Sequence, residues 1–185
     1  MPTPAKTSRD ELVDIALSLV EAGGTDAVTI AAVAHAAGIR GPSLYKHFAD
    51  REALLTATEI AVLHRLEAIL RRDTKGRSAQ QRLRAMAHVY RRFGREQPHL
   101  YGMIYRKMVE EDSELAAACL FAARPLFEEL QAAGIAAARL LPLSRTLVAF
   151  LHGFVTMEIA NAFHLGGDLD EAFETSLDTI LAPIG

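Results

Sequence analysis

Tryptophan is absent from the 185 residues, cysteine occurs once, and aromatic residues make up only 6% of the chain. A lone thiol excludes a disulfide framework, and a 50% hydrophobic composition excludes intrinsic disorder. No uninterrupted apolar run approaches the roughly 18 residues needed to span a bilayer. The opening Met1-Pro2-Thr3-Pro4-Ala5-Lys6 leads straight into charged residues with no secretory core, so a soluble cytoplasmic protein without membrane contact is expected. Chemical signatures are missing as well. There is no Gly-rich phosphate loop, no Gly-x-Ser-x-Gly elbow and no His-Glu-x-x-His helix. The seven histidines and Cys119 are scattered without ligand spacing, so no metal, other cofactor or catalytic residue is expected and an enzyme is disfavoured. Cys119 stands among alanines, where a buried inert thiol is the expected state.

Charge is also scarce in sum: the formal net charge is −3. Its distribution is uneven. Residues 1–56 carry five Lys/Arg against seven Asp/Glu, residues 57–110 twelve against five, and residues 111–185 three against eleven. A basic middle therefore lies between two acidic ends. The arginines of that middle (Arg71, Arg72, Arg77, Arg82, Arg84, Arg91, Arg92 and Arg95, with Lys75) admit several readings. They suit a solvated helix face, ion pairs with the 110–114 acids or with Glu128 and Glu129, an extension of a nucleic-acid footprint, or an anionic ligand such as an acyl thioester.

What the chain has in quantity is helix formers, Ala, Leu, Glu and Arg, with little period-2 alternation. Ser8 with Glu11 forms a capping box for a first helix that Gly23-Gly24 stops. A short helix runs from about Thr29 to Gly38, Ile39 to Gly41 turn, and a third spans Pro42 to Phe48. A fourth extends from Asp50 to Arg72. Ser78 with Gln81 caps a fifth that reaches Glu96, and a shorter one covers His99 to Met108. Acids at 110–114 favour a new N-terminus, and Pro125 implies a kink or split near Arg124. Leu143 to Leu165 reads as the most apolar helix, ended by Gly166-Gly167, and Asp168 with Glu171 caps the last.

Three helices in the first 50 residues, the last two joined by a Gly-containing turn, have the plan of a helix-turn-helix. In such a unit the second paired helix enters the major groove. Here it would present Arg40, Gly41, Pro42, Ser43, Tyr45, Lys46 and His47, while Leu44 and Phe48, four apart, point inward. Segment 39–51 holds three cations and one anion, so the basic face is local.

The run Thr29-Ile30-Ala31-Ala32-Val33-Ala34-His35-Ala36-Ala37-Gly38-Ile39, then Ser43-Leu44-Tyr45-Lys46-His47-Phe48 and Asp50-Arg51-Glu52-Ala53-Leu54-Leu55, resembles the DNA-binding domain of TetR-type repressors. The match covers roughly residues 8–56. It implies phosphate contacts from Thr29, Tyr45, His47 and Arg51, the last where family members commonly have Lys. It implies base-facing positions for Arg40, Pro42 and Ser43, with Lys46 at the margin. Phe150-Leu151-His152-Gly153-Phe154, followed by Glu158, Phe163 and Gly166-Gly167-Asp168, is similar to one subgroup of TetR C-terminal domains. That subgroup often carries Trp near its His-Gly pair, and this chain has none.

The expected architecture is all-α, with a helix-turn-helix DNA-binding domain at 1–56 and a helical effector-binding and dimerisation domain at 57–185. The resemblance implies a homodimer paired through its last two long helices. Phe154, Ile159, Phe163, Phe173, Leu177 and Ile180 offer the apolar surface for it, unless the apolar helix is simply the core of a monomer. Tyr90, Phe93, Tyr101, Met103, Met108, Phe121, Phe127, Phe150, His152 and Met157, with Ile104 and Cys119, are candidates for an adaptable ligand cavity; each also suits plain core. The functional expectation is a regulator, a repressor released from a near-palindromic double-stranded operator by a small hydrophobic or aromatic effector. The alternative is a helical small-molecule-binding protein that acts through protein contacts without specific DNA binding.

Overall fold

The computed structural model describes residues 7–106, 113–182 and 184, and among these all regular structure is helical. The order is α1 (Arg9–Gly23), a single 3-10 turn (Thr25–Ala27), α2 (Ile30–Ala36), α3 (Gly41–Leu44), α4 (Arg51–Asp73), α5 (Ala79–Glu96), α6 (Pro98–Tyr101), α7 (Glu114–Ala132), α8 (Ala137–Ile159) and α9 (Leu169–Leu181).

Helix starts follow the capping residues. Ser8 and Glu11 exchange side chain-to-backbone bonds, as do Ser78 and Gln81. Thr29 accepts from Ala32 N–H at 3.0 Å, Asp50 from Ala53 N–H at 2.7 Å, and Asp168 from Asp170 and Glu171 N–H. Each satisfies a backbone donor the helix leaves open, which contributes about 1 kcal/mol.

The ends diverge more. α3 is one turn long, because Lys46 and His47 bond back to Ser43 and Leu44 in i to i+3 fashion and tighten the coil. α6 stops at Tyr101, and the remainder of the expected helix is turn as far as Arg106. α7 runs through Pro125 without a split. α8 is shifted by about two turns relative to the sequence reading. Pro142 lies inside it, and its end is set at Asn161, not at Gly166-Gly167. Asn161 adopts φ 50°, with Asn161 N–H bonded to Glu158 and Ala162 N–H to Met157, which closes a Schellman motif.

The chain divides into two compact units, Met1–His64 with His99–Cys119, and Arg65–Pro98 with Leu120–Gly185. This grouping differs from a division at residue 56, since residues 57–64 and 99–119 join the first unit. The first unit buries Leu12, Ala16, Val20, Val28, Val33, Leu44, Phe48 and Leu54. In the second, Leu83, Leu130, Leu147, Leu181 and Ile184 form the centre, with Leu126, Leu140 and Ile180 packed on it. By length and composition α8 is apolar enough to cross a membrane, yet Leu147, Leu151, Phe154 and Val155 are buried within the protein.

Arg91 is a charge held inside this second unit. It is 5% exposed. Its Nε and Nη2 donate to Glu158 at 2.8 and 2.6 Å, and Nη1 pairs with Asp170 at 2.7 Å. The guanidinium sits over Phe173 at 4.6 Å and Phe154 at 5.3 Å. Phe150, Phe154, Phe163 and Phe173 pack ring to ring beside it. Removing one partner of such a pair leaves a buried charge uncompensated. Arg91→Ala is therefore expected to cost about 3–5 kcal/mol in urea unfolding. The double variant Arg91→Leu/Glu158→Leu should recover most of that loss.

Candidate nucleic-acid interface

Gly38 at φ 66° closes α2, where Gly38 N–H bonds to His35 and Ile39 N–H to Ala34. A side chain would be strained in that left-handed backbone, and it is what turns the chain sharply into Arg40, the N-cap of α3. Leu44 and Phe48 anchor α3 from below at 0% and 3% exposure. Arg9 of α1 lies over the Phe48 ring at 5.1 Å. With those two residues inside, Arg40, Pro42, Tyr45 and Lys46 are exposed, and Gly41, Ser43 and His47 half-buried. Tyr45 is 55% exposed, a large ring held in solvent and not part of the core. Thr29 is exposed at the N-terminus of α2. Arg51 is engaged within the unit: its Nε donates to Val28 O and its Nη2 to Thr25 O, both at 2.6 Å.

Two family descriptions match the chain, the bacterial regulatory proteins of the tetR family over residues 12–58 and the tetracyclin repressor-like C-terminal domain over 83–180. An uncharacterised HTH-type transcriptional regulator of Mycobacterium tuberculosis is 33% identical over 157 residues, which cover 84% of this chain and 72% of that protein. The chain belongs to the TetR family of transcriptional regulators. Solved structures share the fold. A TetR from Streptomyces coelicolor superposes with a TM-score of 0.75 at 20% identity, covering 96% of this chain and 97% of that one. A TetR variant from Acinetobacter baumannii in complex with minocycline gives 0.68 at 21% identity, covering 96% of both.

In this TetR-family chain the candidate ligand residues belong to both units. Tyr101 and Met103 fall in the first unit, and Tyr90, Phe93, Phe121, Phe127, Phe150, His152 and Met157 in the second. Met103, Phe93, Tyr101, Ile104 and Tyr90 are buried, whereas Phe121, Phe127, Phe150 and His152 are half-buried. Phe150 stacks on Phe173 and belongs to the aromatic cluster around Arg91. Met157 is 42% exposed. Met108 lies outside the described residues. A cleft of about 740 Å³ in the second unit is lined by His88, Arg91, Arg92, Arg95, Glu96, Asp170 and Glu174, none of them among the candidates for the adaptable apolar cavity. Cys119 is half-buried, and burial, followed by the Glu59 charge, pushes its thiol up, away from reactivity.

The dimer candidates also separate. Phe154, Phe173 and Leu177 are buried inside the protomer, so they have almost no surface to give a partner. Ile159, Phe163 and Ile180 keep part of theirs. The exposed side of α8 carries the small residues Ala149, Gly153, Thr156 and Ala160, with Met157 beside them. On α9 the exposed positions include Ala172, Thr175 and Thr179 along with the acids Asp170, Glu171 and Asp178.

Most arginines of the basic middle are paired within the chain. Arg82 binds Glu129, Arg71 binds Glu67 and Glu128, Arg84 binds Glu174 and Asp178, and Arg92 binds Asp73. Sequence reasoning missed another cation. Arg106 donates to both oxygens of Glu52 at 2.7 and 3.0 Å and to Glu59 at 3.2 Å, and Glu59 is fully buried. Glu52 and Glu59 are seven apart, two helical turns on one face of α4, and Arg106 is the cation that follows an apolar stretch; those were the available signals.

Burial holds the His152 imidazole below its ordinary value of 6.5. A base with a lowered folded pKa favours the neutral fold, so its contribution is complete above about 6.5 and falls as pH drops through that value. Thermal melts of the wild type between pH 7.5 and 5.5 should show a loss that His152→Gln removes. Equal pH slopes for the two proteins would refute the assignment.

Proposed function

We propose that this chain is a cytoplasmic homodimeric repressor whose α3 reads a near-palindromic operator and which a small hydrophobic or aromatic effector releases. The observation that carries the DNA reading is the partition of α3: Leu44 and Phe48 are used as anchors, while Arg40, Pro42, Tyr45 and Lys46 face solvent together. An arginine at a helix entry suits guanine edges, and a hydroxyl-bearing ring and a lysine suit phosphates. Thr29 and His47 add backbone contacts at either side, with Gly41 and Ser43 close to the groove floor.

A second copy is supported by Gly153. It sits in the middle of a helix, where glycine costs about 1 kcal/mol relative to alanine, and a Cβ there would meet nothing within 4 Å in its own chain. Close approach of another helix over Ala149, Gly153, Thr156 and Ala160 gives that glycine a purpose. Ile159, Phe163 and Ile180 would rim the contact, and the paired subunits would set two copies of α3 at adjacent half-sites about one helical turn apart.

The effector side rests on the family and on the minocycline complex of the Acinetobacter baumannii relative. Phe121, Phe127, Phe150 and His152 are this chain's candidates for contacting it, since half-buried aromatic groups suit an adaptable apolar ligand. The internal pairing of Arg71, Arg82, Arg84, Arg91 and Arg92 weighs against an anionic one. Release requires different effector affinity in two conformations, a coupling of about 1–3 kcal/mol in typical cases. α4, which begins in the first unit and ends in the second, is the proposed carrier.

A gel shift on the DNA flanking the protein's own gene tests the reading. Specific retardation that weakens steeply with salt, and that Tyr45→Ala and Lys46→Ala each reduce about tenfold, is the expected result. No retardation of any fragment at low salt would favour a ligand-binding protein acting through protein contacts.

A further inference from the structure

The first residue of α4 holds the entrance of α2 in place. Arg51 is half-buried, and one edge of its guanidinium, Nε and Nη2, spans the carbonyls of Val28 and Thr25 at 2.6 Å each. Thr25 opens the Thr25–Ala27 turn and Val28 follows it, immediately before Thr29, whose hydroxyl caps α2. Val28 N–H already bonds to Thr25 O, so the turn is closed on itself and Arg51 fastens the closed turn to α4. Val28 is fully buried, which fixes the same point from the apolar side.

Two donors at a fixed separation on a rigid plane are what the two carbonyls require. A lysine ammonium reaches as far but is a single point with no fork. That edge is one of the two a guanidinium can offer a phosphate in bidentate fashion, and here it is occupied. Resting on the reading of the first unit as a DNA reader, we infer that Arg51 is a positioning residue for operator binding: it sets α2, and through α2 the turn into α3, by bracing the carbonyls of Thr25 and Val28, and makes no direct phosphate contact.

This separates two behaviours. A phosphate contact depends on charge, so lysine would replace arginine and alanine would remove one counterion from the salt dependence. A brace depends on shape, so lysine would fail nearly as badly as alanine while the salt dependence stayed as it was.

The experiment uses the full chain with a duplex of about three helical turns spanning the fragment the wild type retards. Fluorescence anisotropy against salt is measured for the wild type, Arg51→Lys and Arg51→Ala. Hydrogen exchange of the free proteins is followed in parallel. The expected result is an affinity loss of about tenfold in both variants, from two lost charge-assisted hydrogen bonds. The salt slopes should match the wild type, and amides 28–33 should exchange faster while the second unit's amides keep their protection. Retained affinity in Arg51→Lys, with a slope reduced by about one in Arg51→Ala, would overturn the inference in favour of a phosphate contact. So would unchanged affinity in both. If the wild type binds no DNA, the functional reading fails by itself. The brace is then still judged by exchange, and unaltered protection at 28–33 in Arg51→Lys overturns it.

Discussion

The first turn of α4 is gripped from two directions, and the geometry of the DNA-reading unit depends on that grip. Arg51 takes the carbonyls of Thr25 and Val28, and its neighbour Glu52 takes the guanidinium of Arg106. Successive helical residues point about 100° apart, so the two cannot serve one partner. Asp50 caps the same turn through Ala53 N–H. The start of a 23-residue helix is thus tied to the turn before α2 and to the segment after α6. A displacement of α4 would pull on both, which is the mechanical requirement for a regulator whose reading head answers to events elsewhere in the chain.

Charge is organised to the same end. The net of −3 hides a basic segment and an acidic one that find each other on folding, as Arg71 with Glu128, Arg82 with Glu129, Arg84 with Glu174 and Asp178, and Arg91 with Glu158 and Asp170. Most of these are exposed and contribute little each. Arg91 differs because it is buried and flanked by aromatic rings, so its pairing decides whether the second unit tolerates it at all. With many of the middle arginines paired to carboxylates, Arg40 and Lys46 are left as the exposed cations beside α3.

Much of this was legible in the sequence, and for identifiable reasons. Helix starts were readable at Ser8, Thr29, Ser78 and Asp168, because capping is a contact between residues two or three apart. The helix-turn-helix was readable from the ordered set around Gly38, Leu44 and Phe48. The limits of α8 were not. Pro142 and Gly166-Gly167 are strong local signals, but the early turns of the helix absorb the proline, and Asn161 closes it sooner than the glycines would. Phe173 and Leu177 looked like interface residues because pattern alone cannot tell the two buried directions of an amphipathic helix apart; packing put them inside the protomer. The partners of Arg51 and Arg106 were not readable, because they are backbone carbonyls 23 and 26 residues away, or carboxylates about 50 away. No spacing rule encodes such contacts.

In the proposed regulator two copies of this chain read DNA as a unit, packed through the α8 face around Ala149, Gly153, Thr156 and Ala160. Hydroxyl-radical footprinting of the wild type beside Gly153→Leu, with the mass of each measured by sedimentation, tests it most directly. The expected wild type is a dimer that protects two symmetric patches about one helical turn apart. Gly153→Leu should be a folded monomer, since the added side chain begins in open space, with that paired protection lost. A Gly153→Leu protein that remains dimeric and leaves the same footprint would contradict it.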